Sequence, residues 1–308
     1  MNPLGEAPRS HSTSERAAGN PPGGAGGAGG LAVAGASLEE WHQVAEWAAE
    51  EGWNPGRGDV ACFHPTDPAG FFIGRLGSRP ISAVSIVTYS EQYAFLGYYL
   101  VHPGHRGQGF GLATWRAAFP HAGTRTVGLD AVPAQQATYG RAGFKSAHDT
   151  IRYGGRPERS GAPAAGVVPV AAEHIDAIAA YDQQCFPAER TAFVRRWLTA
   201  AGHIAYARLR EGRITGYGVI RPALDGHRIG PLFADTPEDA EALFDALTAH
   251  VGPQDEVSID LPEPQHAAGA LVTAHGLEAR SHTVRMYTGP VPEVRAERTY
   301  GVTTLELG

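Results

Sequence analysis

The residues best suited to chemistry lie in one glycine-rich loop. From residue 100 the chain reads Leu-Val-His-Pro-Gly-His-Arg-Gly-Gln-Gly-Phe-Gly, a strand that leads into a loop and then a helix. Glycine lets a backbone approach a ligand without an intervening Cβ, and a helix start offers unpaired N–H groups at the positive end of its dipole. This arrangement predicts an anion site, most naturally for a pyrophosphate.

The side chain of Arg106 adds a permanent positive charge beside this loop. Two well-known phosphate loops do not fit the sequence. A P-loop requires Gly-Lys-Ser/Thr, which the segment lacks. A dinucleotide fingerprint requires Gly-x-Gly-x-x-Gly near the start of a domain, whereas these glycines alternate strictly and lie in the middle of one. A nicotinamide-dependent dehydrogenase is therefore disfavoured.

The loop and a second segment downstream together resemble one enzyme superfamily. The pattern V-x-P-x-x-R-G-x-G-x-G from Val101 to Gly111 is similar to the acyl-CoA-binding loop of the GNAT acyltransferases. The pattern Y-x-x-x-G-F from Tyr139 to Phe144 is similar to the second motif of the same superfamily. Both follow in order on a strand–loop–helix–strand–helix background. The resemblance extends along the chain to tandem GNAT proteins of bacteria.

This resemblance implies an N-acetyltransferase that uses acetyl-CoA and no metal, in which an amine attacks the thioester directly. It implies that the backbone of Leu100 and Val101 holds the pantetheine arm and polarises the thioester carbonyl. Gln135 would add a contact to the cofactor. The pyrophosphate would be held by the backbone amides of the loop, which belong to Arg106, Gly107, Gln108, Gly109, Phe110 and Gly111. The strands that end at Val101 and Leu129 would separate to admit the arm.

Proton transfer needs an acid and a base. Tyr139 is the expected general acid, because a phenol can protonate or hydrogen-bond a leaving thiolate whose pKa is about 8.5. The base is open between Asp130, at the end of a strand bordering the cleft, and Glu91, in the turn before Tyr98. Asp130 has a structural alternative as the cap of the turn that follows it, and its counterpart Asp260 in the second half favours that alternative.

An acceptor pocket is expected after the first helix, where this fold usually binds its second substrate. Trp53, Asn54 and Asp59 offer an aromatic ring and two polar groups, which suit a small amine. The alternative is that Trp53 belongs to the core and the polar residues only cap loops.

The elements that must position these residues alternate between helices and strands, which predicts an α/β fold with a mixed sheet. Several segments then recur at an offset of about 130 residues: Val127–Asp130 as Val257–Asp260, Gly143-Phe144 as Gly276-Leu277, and Thr150–Tyr153 as Thr283–Tyr287. The chain is therefore predicted to hold two tandem copies of one GNAT-like fold. The expected boundaries are a flexible Gly/Pro/Ala-rich tail at 1–35, a catalytic domain at 36–153, a linker at 154–166 and a second domain at 167–308.

The second copy lacks the loop. After the strand that ends at Phe233 comes Ala-Asp-Thr-Pro-Glu-Asp-Ala-Glu, in which carboxylates replace the glycines and the arginine. Thr236 as cap and Pro237 at the first helical position make a good helix start, but the acidic groups would oppose a pyrophosphate. One acyl-CoA site per chain is expected, in the first copy.

Composition and charge limit the class of protein, its partners and its location. The 308 residues are 43% hydrophobic with a net charge of −7, which suits two folded domains and disfavours a nucleic-acid partner. Two distant cysteines predict reduced, buried thiols rather than a zinc site, and hence a cytoplasmic protein. No signal peptide or membrane-spanning segment is expected.

The sequence thus predicts an N-acetyltransferase that acts on the primary amine of a small molecule. Two alternatives remain: a non-catalytic module that binds acyl-CoA or a partner, and an acetyltransferase for protein or peptide amines. The identity of the acceptor and the choice between monomer and homodimer cannot be predicted from the sequence.

Overall fold

The structure is a computed structural model that describes residues 30–158, 164–263 and 265–308. Its helices are α1 (Leu38–Glu50), α2 (Asp59–Phe63), α3 (Phe110–Ala118), α4 (Pro133–Arg141), α5 (Ile175–Cys185), α6 (Thr191–Thr199), α7 (Pro237–Thr248) and α8 (His266–Ala274). The strands of the first half are β1 (Leu31–Gly35), β2 (Phe71–Leu76), β3 (Arg79–Thr88), β4 (Tyr93–Val101), β5 (Thr126–Ala131) and β6 (Lys145–Gly155). Those of the second half are β7 (Val167–Pro169), β8 (Ile204–Arg210), β9 (Arg213–Pro222), β10 (His227–Ala234), β11 (Val257–Pro262), β12 (Glu278–Tyr287) and β13 (Thr299–Gly301).

All of these strands belong to one mixed sheet, which confirms the predicted fold class. The strand order is β1-β2-β3-β4-β5-β12-β6-β11-β10-β9-β8-β7, and β13 pairs separately with β10. Each half contains one parallel pair, β4 with β5 and β10 with β11, as expected for strands joined by a helical crossover. Helix α1 begins at a reciprocal capping box, which Ser37 and Glu40 form.

The two halves exchange a strand across the centre of the sheet. Strand β12 of the second half lies between β5 and β6 of the first, and β6 lies between β12 and β11. β6 pairs antiparallel with β12 along most of its length and with β11 from Thr150 to Gly155, and β12 pairs antiparallel with β5 from Val284 to Tyr287. Neither half therefore has a complete sheet without the other. The repeat in the sequence predicts two copies, but it does not predict this exchange, because a periodic pattern carries no information on which copy a strand pairs with.

Matching ion pairs accompany the exchanged strands. Arg285 on β12 makes two hydrogen bonds to Asp130 on β5, of 3.0 and 2.7 Å. Arg152 on β6 makes two to Asp260 on β11, of 2.7 and 2.9 Å. In the sequence these four residues belong to segments that repeat, and the structure pairs each arginine with the aspartate of the other half. Both pairs are nearly inaccessible to solvent, so each charge depends on its partner.

A single hydrophobic core joins the first helices of both halves. It includes Trp41 of α1, Phe63 of α2 and Trp197 of α6, all with 1% exposure or less. The rings of Phe63 and Trp197 stack with centroids 5.8 Å apart. Separate cores cover the outer faces of the sheet under α3 and α4 and under α7 and α8. Among the helices that the structure describes, none combines the length and apolar character needed to cross a bilayer.

Two predicted boundaries need correction. Residues 31–35 were expected in the flexible tail, but they form β1, which pairs with β2 along its whole length. The small residues of Leu-Ala-Val-Ala-Gly have little preference for a strand, so β1 is recognised only by its pairing with β2. The expected linker also begins too early, because β6 continues through Gly154 and Gly155. Residues 1–29 of the tail and 159–163 of the linker lie outside the described residues.

Candidate active site

A gap opens between the two parallel strands of the first half. β4 and β5 pair only from Tyr93 to Phe95, opposite Thr126 to Gly128. Beyond Phe95, β4 continues to Val101 with β3 on its other edge. The amide of His102 donates to Ile81 on β3, and because amides of an antiparallel strand alternate in direction, that of Val101 faces the gap. This edge can therefore bind an extended polar chain.

The glycine-rich loop lies at the open end of this gap. Its first part is closed by internal bonds: the amide of His105 donates to His102, and that of Arg106 to Pro103. Within the described chain, the six backbone amides from residue 107 to residue 112 donate to no acceptor. They surround the N-terminus of α3, which starts at Phe110. A row of free amides at a helix N-terminus suits a pyrophosphate.

Two positions in this segment require glycine for structural reasons. Gly109 caps α3 with φ of 84°, in the left-handed region. At Gly111 a Cβ would lie 2.8 Å from the Tyr99 hydroxyl and 2.9 Å from Cγ2 of Val101, so only glycine lets α3 pack this closely on β4. The alternating glycines thus shape the backbone rather than only leave room for a ligand.

Arg106 does not offer a free charge to the loop. Its Nε donates to the carbonyl of Val101 at 2.9 Å, and its guanidinium forms an ion pair with Glu51 at the end of α1. The Glu51 side chain is 8% exposed, so the pair is held partly away from solvent. The role that the sequence suggested for Arg106 therefore changes from supplying charge to fixing the end of β4 against α1.

Tyr139 lies on the face of the sheet covered by α3 and α4. Its ring packs against Trp115 and Phe144, with centroids 5.9 and 6.0 Å apart. Burial raises the pKa of Tyr139 above its usual value, so the hydroxyl keeps its proton at all ordinary pH values. Nearby, Gln135 is buried and its Oε1 accepts no hydrogen bond from the described residues.

The structure separates the two base candidates from each other and from the loop. Asp130 is 1% exposed and its carboxylate is held by two hydrogen bonds from Arg285. Burial raises the pKa of Asp130, and the nearby Asp260 and Glu306 carboxylates add to this, while Arg285 opposes it. Glu91 is exposed in the turn before β4, at the end of the strand away from the loop.

The three residues expected in the acceptor pocket are placed differently from one another. The half-buried Trp53 ring lies against Tyr98, with centroids 6.2 Å apart. The Asn54 side chain is bound to the backbone of Asp225 by two hydrogen bonds of 2.8 Å. Asp59 is fully buried and paired with Arg221 of β9 at 2.7 Å. Asn54 and Asp59 therefore connect the halves, and Trp53 alone lies beside the first copy's sheet with an accessible surface.

Two residues near the gap were not singled out from the sequence. Tyr98 occupies an irregularity in β4, where Tyr98 and Tyr99 together face Val84, and its φ is 47°. Glu306, on the segment that follows β13, is 4% exposed, and its backbone carbonyl would block any Cβ at Gly97. Only the unusual Tyr-Tyr pair gave a signal, because the contact of Glu306 is too distant in sequence to be read from a pattern.

The equivalent gap of the second half is filled. β13 pairs with β10 at Leu232 and Phe233, along the edge that matches Leu100 and Val101 in the first half. The amide of Val302 then donates to the carbonyl of Asp260 on β11, so the segment bridges both strands. Helix α7 starts as predicted, with the Thr236 hydroxyl accepting from Asp239 at 3.2 Å. In this half, therefore, β13 occupies the edge of β10 and the Thr236 side chain binds an amide at the start of α7, so these groups are not free to bind an acyl-CoA.

In the described ranges no group of three or more His, Cys, Asp or Glu side chains is arranged to hold a metal ion. The two cysteines, Cys62 and Cys185, are free and buried.

Two family models match the chain, one in each half. Residues 38–144 match the acetyltransferase (GNAT) family, and residues 178–301 match an acetyltransferase (GNAT) domain. The first match includes the loop and Tyr139. The second covers the half whose gap is filled.

Whole-chain comparisons agree with this result. The chain is 34% identical over 273 residues to a holothin acyltransferase from Pseudoalteromonas sp. (strain SANK 73390), covering 89% of this chain and 93% of that protein. A candidate acetyltransferase from Pyrococcus horikoshii has a similar structure, with a TM-score of 0.76, 21% identity and coverage of 91% of this chain and 96% of the other. A tandem GNAT protein from the clavulanic acid biosynthesis pathway has a TM-score of 0.60 at 18% identity, covering 85% and 99%.

Proposed function

Because this chain belongs to the GNAT family of acyltransferases, we propose that it transfers an acetyl group from acetyl-CoA to the primary amine of a small molecule. The observation that carries the proposal is the row of six free amides, residues 107–112, at the open end of the gap between β4 and β5. A pyrophosphate there would accept hydrogen bonds from these amides, for which the described residues provide no acceptor. The pantetheine arm would then enter the gap along β4.

The residues around the gap fit this cosubstrate. The Val101 amide faces the gap and can hold the arm or polarise the thioester carbonyl. Gln135 Oε1 has no partner in the described chain and can accept from an amide of the arm. Tyr139 remains protonated and can give its proton to the leaving thiolate. Acetyl-CoA would supply the activated acyl group. These residues would bind it and donate a proton to the leaving thiolate.

A small-molecule acceptor is supported by the relative named holothin acyltransferase, which matches along almost its whole length. Holothin is accordingly the first acceptor to test, within a wider library of primary amines. The cytoplasmic location that the sequence suggested remains part of this proposal, supported by the two free cysteines.

Titration calorimetry with acetyl-CoA tests the binding site. We expect one site per chain, because β13 fills the gap of the second half. A release assay for free thiol, with acetyl-CoA and the amine library, then tests turnover. Binding without turnover of any amine would favour a non-catalytic acyl-CoA-binding module, and no binding at all would contradict the proposal.

A further inference from the structure

We propose that Glu306, from the second half of the chain, is the general base of the active site in the first half. This inference rests on the proposed function, since it concerns the amine that attacks the thioester. Neither Asp130 nor Glu91 fits the role, because Arg285 holds the first and the second lies exposed beyond the far end of β4. Glu306 is the carboxylate that the fold brings to the place where the reaction must occur.

The geometry of the gap fixes that place. The pyrophosphate site is at residues 107–112, and β4 and β5 close against each other at Phe95. An arm that enters beside Val101 must therefore end between Val101 and Phe95. The backbone carbonyl of Glu306 lies directly against Gly97, in the middle of that interval. The thioester and Glu306 thus meet at the same short stretch of β4.

Glu306 is held rigidly at this position. On one side the Thr303 hydroxyl accepts from Arg190 at 2.8 Å. On the other, the Leu307 carbonyl accepts from the Tyr89 hydroxyl at 3.0 Å, and the Leu307 side chain is 1% exposed in the shared core. A segment anchored at both ends keeps its carboxylate in one place, which catalysis by proton transfer requires.

One oxygen of the carboxylate is free. Oε1 of Glu306 accepts from Arg228 at 3.3 Å, but Oε2 is buried with no hydrogen-bond partner among the described residues. The neighbouring Tyr98 hydroxyl is also buried without a partner there. Arg228 does not depend on Glu306, since it also binds Asp260 at 2.8 Å. An unpaired buried carboxylate oxygen is costly, and an ammonium group from a substrate would satisfy it.

Tyr139 and Glu306 approach β4 from opposite faces. Tyr139 packs with Leu96 and Tyr99 on the side of α3 and α4, whereas Tyr98 and Leu307 belong to the inner core. An acid on one face and a base on the other allow the amine to enter from the inner side while the thiolate leaves on the outer side.

The proton balance closes with these two groups. The acceptor arrives as an ammonium, and Glu306 Oε2 takes one proton, a transfer eased because burial disfavours the charged amine. The amine nitrogen then forms the C–N bond with the acetyl carbon, and the C–S bond breaks with its electron pair going to sulfur. Tyr139 protonates the thiolate and regains a proton from the nitrogen as the amide forms. Glu306 releases its proton to solvent after the products leave.

The test compares Glu306→Gln with Glu297→Gln, a matched change at an exposed carboxylate of the same terminal segment. We expect Glu306→Gln to lower kcat by about 10²- to 10⁴-fold while the Kd for acetyl-CoA stays within about twofold of the wild-type value. Glu297→Gln should leave both constants unchanged. A Glu306→Gln enzyme with wild-type kcat would overturn the role of Glu306 alone, and a wild-type protein with no turnover would overturn the proposed function with it.

A pH series separates a base from a structural group. The charged and titratable groups that face Glu306 are Arg228 on β10, Tyr98 on β4, Asp130 on β5 and Asp260 beside Arg228. Burial raises the pKa of Tyr98 well above its usual value, so its phenol should stay protonated between about pH 6 and 10. For a base, the ratio of wild-type to Glu306→Gln kcat/KM falls as pH rises, because more acceptor is already a free amine. A constant ratio would overturn the proposal.

If Glu306→Gln fails to fold, Glu306→Asp decides the question. It keeps the negative charge beside Arg228 and draws the carboxylate back by one methylene. If Glu306 serves only as a structural charge, a folded Glu306→Asp enzyme should have the wild-type kcat. A proton acceptor predicts at least a tenfold loss of kcat with unchanged acetyl-CoA affinity.

Discussion

Gly109 shows how one residue decides the shape of the anion site. Its φ of 84° lies where an L-residue is strained by about 1–2 kcal/mol. We expect Gly109→Ala to lower stability by about that amount and to weaken acetyl-CoA binding at least tenfold, because the amides of α3 must reorient. Thermal unfolding and calorimetry measure the two effects. Gly140→Ala is the matched control, since a Cβ there meets open space on α4, and it should bind acetyl-CoA normally.

Tyr139 allows a second prediction at this scale. Burial raises its pKa, so the phenol remains a donor across the working range and its ionisation should add no alkaline limb to the pH–rate profile. We expect Tyr139→Phe to lower kcat about 10²-fold or more with little change in the Kd for acetyl-CoA. Tyr206→Phe, which removes a phenol paired with His250 in the second half, serves as control. Equal kcat for Tyr139→Phe and wild type would rule out the acid role.

The site residues differ in how far the sequence could predict them. The loop and Tyr139 could be proposed as site residues from the sequence, because a short motif fixes both their spacing and the elements that carry them. Arg106 was misjudged in its role, because its partner Glu51 lies on another helix. Asp130 remained a candidate base in the sequence, because its ion pair to Arg285 joins the two halves and cannot be read from a local pattern. Glu306 carried no local signal at all, since its proposed role depends on where the terminal segment is placed.

At the scale of elements, the ion pairs of β6 and β12 predict a specific acid sensitivity. Burial alone would raise the pKa of Asp260, but Arg152 and Arg228 outweigh it and lower the pKa to about 2. Since the unfolded value is about 3.9, Asp260 stabilises the fold above that pH and loses this contribution as pH falls towards 2. The expected contribution is about 2 kcal/mol.

Urea unfolding of wild type and Asp260→Asn between about pH 2 and 6 measures this effect. The difference in unfolding free energy should shrink as pH falls, because the wild-type carboxylate becomes protonated. Asp176→Asn, at an exposed pair with Arg195, should show no such trend. A wild-type-to-Asp260→Asn difference that is constant with pH would contradict the assignment.

Most helices and strands could be predicted from their local patterns, and the pairing of the sheet could not. The capping box of α1 and the threonine cap of α7 mark their helices in the sequence. β1 was missed because glycine and alanine give it no pattern, and its identity comes from its neighbour β2. The exchange of β6 and β12 was missed for a deeper reason: two repeats have the same pattern, so pairing within and between copies looks identical.

At the scale of the whole molecule, exchanged strands and a shared core predict one folding unit. Each half would expose the unpaired edges of its sheet if the other were absent. We expect the intact chain to unfold in a single calorimetric transition, with or without acetyl-CoA, and a fragment of residues 30–158 to lack cooperative unfolding. Two separate transitions, or a stable fragment with native-like circular dichroism, would show that the halves are independent domains.

The reciprocal exchange of β6 and β12 also indicates a route by which such a chain could arise. Two identical subunits that trade the same strand make a swapped dimer, and a short connection between them turns it into one polypeptide. Once joined, both partners are still required to complete the sheet, but only one must keep its chemistry. The partner released from catalysis could then accumulate acids in place of its loop, close its own cleft with β13, and contribute the end of its chain to the surviving catalytic centre.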